Sequence, residues 1–184
     1  MAVCIINGTE TNQYLRAKFM YQERYWREMD QLKVHVLYLE LYLEKTINID
    51  RAMNMFLAIT SSGSIAGWVI WQHLSFVWGA IIAVSQAVNA IKPYLPYAKR
   101  LRAVHSASNE LESVFIAMES EWFKVAEGQL TTEQIHSLQM KYKEKIRQIS
   151  QKHLGSSTLP ENEKLLVKAK SSAKIYFDNF YPSN

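Results

Sequence analysis

Apolar residues in the first quarter of the chain recur at helical spacing. Tyr25, Met29, Leu32, Val36, Leu39 and Leu43 step by 4, 3, 4, 3 and 4 residues, the seam of a helix packed on its neighbours. Leu37 and Leu41 widen that stripe beyond a narrow seam. Arg24, Arg27, Glu28, Asp30 and Lys33 occupy other positions, and the run from Thr11 to Asp50 has no Gly or Pro. One long amphipathic helix is the reading. A second seam, Leu101, Val104, Ser108, Leu111, Phe115, Met118, Trp122 and Val125, steps by 3, 4, 3, 4, 3, 4 and 3. It predicts a helix from about Ala98 to Glu127, stopped by Gly128. Thr131 followed by Gln134 predicts a capping box that opens a third helix through about His153. Ile135, Leu138, Tyr142, Ile146 and Ile149 form its apolar face, and Gly155 ends it. Ser156-Ser157-Thr158 reads as a linker. Pro160 is placed at the first turn of a last helix, with Glu161 and Glu163 near its positive end. No segment alternates as a strand. The fold class is all-α.

The two ends are less patterned. Met1-Ala2-Val3-Cys4-Ile5-Ile6-Asn7-Gly8 is apolar but too short for a secretory signal and reads as a strand or a tucked-in extended tail. Cys4 reads as a plain buried thiol. The aromatic run Tyr176-Phe177-Asp178-Asn179-Phe180-Tyr181 reads as a helix end packed against a neighbour, such as a partner subunit.

Between the two seams the pattern changes. All 21 Lys and Arg and all 17 Asp and Glu lie in residues 1–51 and 92–184. Residues 52–91 have none, whereas charged residues make up about a quarter of an ordinary soluble chain. One helix over that block would run for about 60 Å, twice a bilayer's hydrocarbon core. The polar dip Gln72-His73-Leu74-Ser75 divides it into Met53–Trp71 and Leu74–Ile91, each near the short end of the spanning range. The pattern therefore predicts long amphipathic helices flanking a two-helix transmembrane hairpin. Three regions follow: an N-terminal cytoplasmic helix over 1–51, the hairpin over 52–92 (about 53–71 and 74–91), and a C-terminal cytoplasmic helical region over 93–184.

The flanks set an orientation. Trp68, Trp71 and Trp78 surround the turn as one aromatic belt, and Tyr94 and Tyr97 stand at the other interface. Lys45, Arg51, Lys92, Lys99, Arg100 and Arg102 lie outside the hairpin, while the turn has no Lys or Arg. Both chain ends are thereby expected in the cytoplasm, with the turn facing outward, as in a multi-pass membrane protein. Gly63 and Gly67 form a GxxxG pair, and Gly79, Ala83 and Ala87 repeat small residues at fourfold spacing. Such faces allow close helix packing in lipid. Asn54, Thr60, Ser61, Ser64, Ser85, Gln86 and Asn89 are costly against lipid. They are expected to bond between helices or to line a pore. A pore needs several hairpins, so a homo-oligomer is expected.

Composition removes other classes. One Cys excludes a disulfide framework and a cysteine-based zinc site. The chain shows no phosphate-binding glycine loop, no G-x-S-x-G and no H-E-x-x-H. His35, His73, His105, His136 and His153 are scattered. No catalytic residue, metal or cofactor is expected, and the protein is not read as an enzyme. Lys141, Lys143, Lys145 and Arg147 form a basic group beside Glu144. This reads first as a solvated face, and second as a contact for anionic headgroups or nucleic acid. Base stacking by Tyr142 belongs to that second option.

The run Arg24-Tyr25-Trp26-Arg27, the hairpin, and the seam Leu101 to Trp122 with Glu110, Glu112, Glu119 and Glu121 together resemble the SLATT-type two-transmembrane proteins of bacterial conflict systems. The resemblance covers roughly Tyr25 to Glu127 and rests on pattern. It implies an antiphage effector that permeabilises the inner membrane under control of a partner: a nucleotide-signalling enzyme, a sensor or, as with two-helix retron toxins, a reverse transcriptase with its nucleic acid. The residues beyond Glu127 are too few for a separate sensor. In this reading Leu111, Phe115, Met118 and Trp122 form a seam for a partner or a second subunit. A membrane anchor or scaffold that recruits another protein is the alternative. A soluble helical protein with an occluded hairpin is a third reading.

Overall fold

In the computed structural model the backbone is described for residues 2–70, 75–92, 97–155 and 159–181, and the side chains for 16–60, 76–92, 100–155 and 159–181. Five helices follow one another: α1 (Ala2–Ile70), α2 (Ser75–Ile91), α3 (Tyr97–Ala126), α4 (Thr132–Leu154) and α5 (Glu163–Phe180). No strand occurs among the described residues. The chain divides into two compact units, residues 1–41 with 103–184, and residues 42–102.

α1 departs from expectation at both ends. The first residues continue the helix rather than forming a strand or an extended tail, and Gly8 does not break it. One Gly costs only about 1 kcal/mol relative to Ala inside a helix. The amphipathic stretch and the first apolar segment are also a single helix. The reason is visible in the seam. Leu43 and Thr46 are buried, and Asp50, Met53, Leu57 and Thr60 are half-buried. They continue the 3- and 4-residue steps of Tyr25 to Leu39, with no Gly or Pro between Gly8 and Gly63 to end the helix. Cys4 falls outside the described side chains.

The first unit is built around the two expected seams. Tyr25, Met29, Leu32, Val36 and Leu39 of α1 are buried, as are Val104, Ala107, Ser108, Leu111, Val114, Phe115, Met118 and Val125 of α3. α4 adds Ile135, Tyr142 and Ile149, and α5 adds Ala169, Ala173 and Phe177. The two alanines present only a methyl group each, so α5 can lie close to its neighbours. Gln139 is 1% exposed and shares the buried face of α4 with Ile135 and Tyr142. Neither its amide nitrogen nor its amide oxygen has a hydrogen-bond partner among the described residues.

Polar groups close the ends of the helices. The carbonyls at the end of α3 accept from α1: Lys18 Nζ donates to Gly128 O at 2.6 Å and Gln22 Nε2 to Val125 O at 2.6 Å. Gly128 turns the chain at φ 69° and Gly155 at φ 56°, left-handed positions that favour glycine. The capping box of α4 is present. Gln134 N donates to Thr131 Oγ1, and Thr131 N donates to Gln134 Oε1. α5 begins later than the Pro160 reading predicts. Asn162 is its N-cap, accepting from Leu165 N at 3.2 Å, so Pro160 and Glu161 precede the helix. A side-chain oxygen that satisfies a free N–H sets the start more strongly than a proline's fixed φ. Tyr38 of α1 ties down this connection: its hydroxyl donates to Pro160 O and accepts from Asn162 N.

The aromatic C-terminal run packs within the chain itself. Trp26 lies 5.0 Å from Phe177, 5.2 Å from Tyr181 and 4.9 Å from Trp122, measured between ring centroids. Glu119 Oε1 accepts from both Tyr176 at 2.7 Å and Tyr181 at 3.1 Å. Burial, reinforced by that carboxylate, pushes the Tyr181 hydroxyl up to about 12. Lys33 Nζ sits 4.6 Å from the Phe115 ring centroid and 4.3 Å from that of Tyr176, a cation against two π faces.

Candidate functional site

The second unit contains the uncharged stretch. Its first half is the later part of α1, and its second half is α2, 17 residues from Ser75 to Ile91 without a charged side chain. α2 has an inner and an outer side. Ser85 is buried, and Trp78, Ile81, Val88 and Lys92 are half-buried. These five step by 3, 4, 3 and 4 residues, so they share one face of the helix. Everything else on α2 from Phe76 to Ile91 is exposed. Phe76 is 88% exposed, and Val77, Ile82, Val84 and Ile91 are each near half. On α1, Met55, Phe56 and Ile59 are exposed as well. So many exposed large apolar side chains within two uncharged helical segments are unusual on a chain that meets only water.

One polar cluster joins the two halves. Lys92 Nζ donates to Asn54 Oδ1, and Asn54 Nδ2 donates to Asp50 Oδ2 at 2.9 Å. Residues 38 positions apart are thus held together where the uncharged stretch begins and ends. No sequence pattern marks this contact, because Asn54 lies off the α1 seam and meets Lys92 only through tertiary structure.

The small residues Gly79, Ala83 and Ala87 all face outward. A Cβ added at Gly79 would have nothing within 4 Å. By helical period Gln86 shares this outward side, and Asn89 is also exposed. Two of the hydroxyls named as pore-lining or interhelical groups bond to their own helix instead. Thr60 Oγ1 donates to Phe56 O and Leu57 O, and Ser85 Oγ donates to Ile82 O at 2.8 Å. Such back-bonding lowers the cost of an apolar environment. Gly63 and Gly67 lie on the helical backbone of α1, but their surroundings, with Ser61 and Ser64, fall outside the described side chains. So do Trp68, Trp71 and His73, which the sequence pattern places around a turn. Among the described residues, no helix is long and apolar enough to cross a membrane.

The other sequence-derived candidates lie in the first unit. Leu111, Phe115 and Met118 are at most 1% exposed, and Trp122 is half-buried against Trp26 and Tyr25. That seam is occupied by the chain's own helices. Of the basic group on α4, Lys143 pairs with Glu28 at 2.7 Å, and Arg147 grips Glu144 through two nitrogens. Arg147, with help from Gln148, holds the Glu144 carboxyl down to about 2. Lys145 lies 6.0 Å from the Tyr142 ring, and Tyr142 itself is buried with its hydroxyl donated to Ala117 O. Its ring is therefore not presented for stacking. Lys141 is exposed. His153 and Lys152 both reach Glu110 Oε1, at 2.8 and 2.7 Å, joining α4 to α3. Among the described residues no three His, Cys, Asp or Glu side chains converge as metal ligands.

No protein-family model, no curated protein and no solved structure matches the chain.

Proposed function

We propose that this protein is an oligomeric membrane effector whose apolar hairpin inserts in a bacterial inner membrane and permeabilises it, while the charged helical unit holds the regulatory contacts. The observation that carries this reading is the uncharged stretch over 52–91, in which Phe76, Val77, Ile82, Val84 and Ile91 of α2 are exposed. Water is a poor environment for that surface, at roughly 25 cal/mol for each Å² left uncovered. Lipid is a good one. A 17-residue helix spans about 25 Å, a little short of the hydrocarbon core. Local thinning of the bilayer and snorkelling of flanking residues such as Lys92 accommodate the difference.

In this reading both chain ends lie in the cytoplasm, and the outward face with Gly79, Ala83 and Ala87 is where hairpins of neighbouring subunits meet. Gln86 and Asn89 then face a neighbour or water. A regulatory protein or nucleoprotein, such as a nucleotide-signalling enzyme or a retron reverse transcriptase, biases the assembly between silent and leaky states. The function becomes abortive antiphage defence.

Inducing the gene in bacteria, alone and with its genomic neighbours, while recording membrane potential with a voltage-sensitive dye tests the reading. Collapse of the potential before loss of viability is the expected result. Polarised, growing cells under every combination would leave a membrane anchor in place of an effector.

A further inference from the structure

A cleft of about 560 Å³ opens between α1 and α5, far along the sequence from the apolar stretch. That volume falls within the range of small-molecule sites, about 300–1,000 Å³. Its apolar lining includes the rings of Trp26, Phe177 and Tyr181, already packed on one another, Trp26 and Tyr181 edge to face and the other two pairs tilted. Lys170 and Lys174 stand on the α5 side, one helical turn apart, with Asp178 a further turn beyond Lys174, and Asp30 stands on the α1 side, so two ammonium groups and two carboxylates line the cleft. Among the described residues no ion pair within 4 Å reaches either lysine or either aspartate.

Each feature constrains the occupant. Two ammonium groups four residues apart on a helix repel each other, and an anion shared between them removes that repulsion. Pre-set aromatic rings favour a flat, polarisable group, because stacking requires no further ordering of the side chains. Asp30 is a hydrogen-bond acceptor beside those rings, matched by amino or hydroxyl donors. Burial raises its carboxyl above the ordinary value, so a donor from a ligand would stabilise the charged form. An inorganic anion leaves the rings uncovered, and an uncharged aromatic leaves the lysines unpaired.

We propose that this cleft binds a nucleotide, with the base against Trp26 and Tyr181, the phosphate between Lys170 and Lys174, and Asp30 accepting a hydrogen bond from the base or sugar. Such a ligand touches α1 and α5 together and fastens the C-terminal helix to α1.

The test is equilibrium binding of AMP, GMP, CMP and UMP to the full-length protein in detergent micelles, followed by tryptophan fluorescence and calorimetry. At least one should bind saturably and more tightly at low salt. Lys170→Met with Lys174→Met should weaken that affinity at least about tenfold, a loss of about 1.4 kcal/mol, while Lys141→Met on α4 leaves it unchanged. Both lysines are exposed, and circular dichroism checks that the double variant retains its fold. The proposal is overturned by absence of saturable binding up to about 1 mM, by equal affinity in the double variant, or by pyrophosphate competing as well as the nucleotide. None of these outcomes depends on membrane insertion.

Discussion

On the proposed membrane reading, Gly79→Leu and Ala83→Leu should lower dye leakage by about tenfold or more at unchanged protein abundance, the effect expected from losing roughly 1–2 kcal/mol at each helix contact in lipid. Both positions are exposed on α2, and Gly79 has open space where a side chain would go. Added bulk therefore meets no clash inside the molecule, and Leu forms helix better than Gly by nearly 1 kcal/mol. A lost activity with a retained protein can then arise only where the chain touches something else. Vesicle leakage with an entrapped fluorophore reads this directly, and immunoblotting of the membrane fraction fixes the abundance. Leakage equal to that of the unaltered protein would remove the small face from the mechanism.

The second large effect concerns stability, and two buried positions should respond with opposite signs. Phe115 is 1% exposed, with Tyr176 at 5.8 Å and Phe177 at 6.3 Å in edge-to-face contact and the Lys33 ammonium over its ring. Phe115→Ala removes the ring and leaves a cavity, at a cost of about 3–5 kcal/mol. Gln139 is equally buried, but its amide is unpartnered among the described residues. Gln139→Leu keeps much of the volume and deletes two unsatisfied polar atoms, a gain of about 1–3 kcal/mol. Urea titration followed by tryptophan emission compares the pair under one condition. The midpoint should fall for the first variant and rise for the second. A fall for both would mean that the Gln139 amide is satisfied in solution.

The sequence patterns that proved informative were those set by a single helix. The step of Leu101 to Val125 placed α3 within a residue of its ends, and Thr131 with Gln134 located the start of α4, because both signals are local. Features that depend on two elements were not readable. Trp26, Trp122, Phe177 and Tyr181 come together from three helices, so the aromatic end could be read only as packing on some neighbour. Asn162 cannot be distinguished from Pro160 as the start of α5 without the hydrogen bond to Leu165. Gln139 sits at a seam position of α4, but a polar residue there reads equally well as a surface interruption. The continuous α1 was masked by the change in composition near residue 52: the charges stop while the heptad steps carry on. For the stretch over 52–91, the absence of charge marked the segment, whereas the division of α2 into a packed side and an open side required its neighbours.

Depth-dependent quenching measures the central claim most directly. The protein carries five tryptophans: Trp68, Trp71 and Trp78 in the apolar stretch, and Trp26 and Trp122 in the charged unit. With the latter two replaced by Phe, the remaining emission is recorded in liposomes made with and without lipids brominated along the acyl chain. Strong quenching by the bromolipid, with little quenching by aqueous acrylamide, is the result predicted here. Emission that ignores the bromines and is extinguished by acrylamide would show that the stretch never leaves water, and would contradict the account.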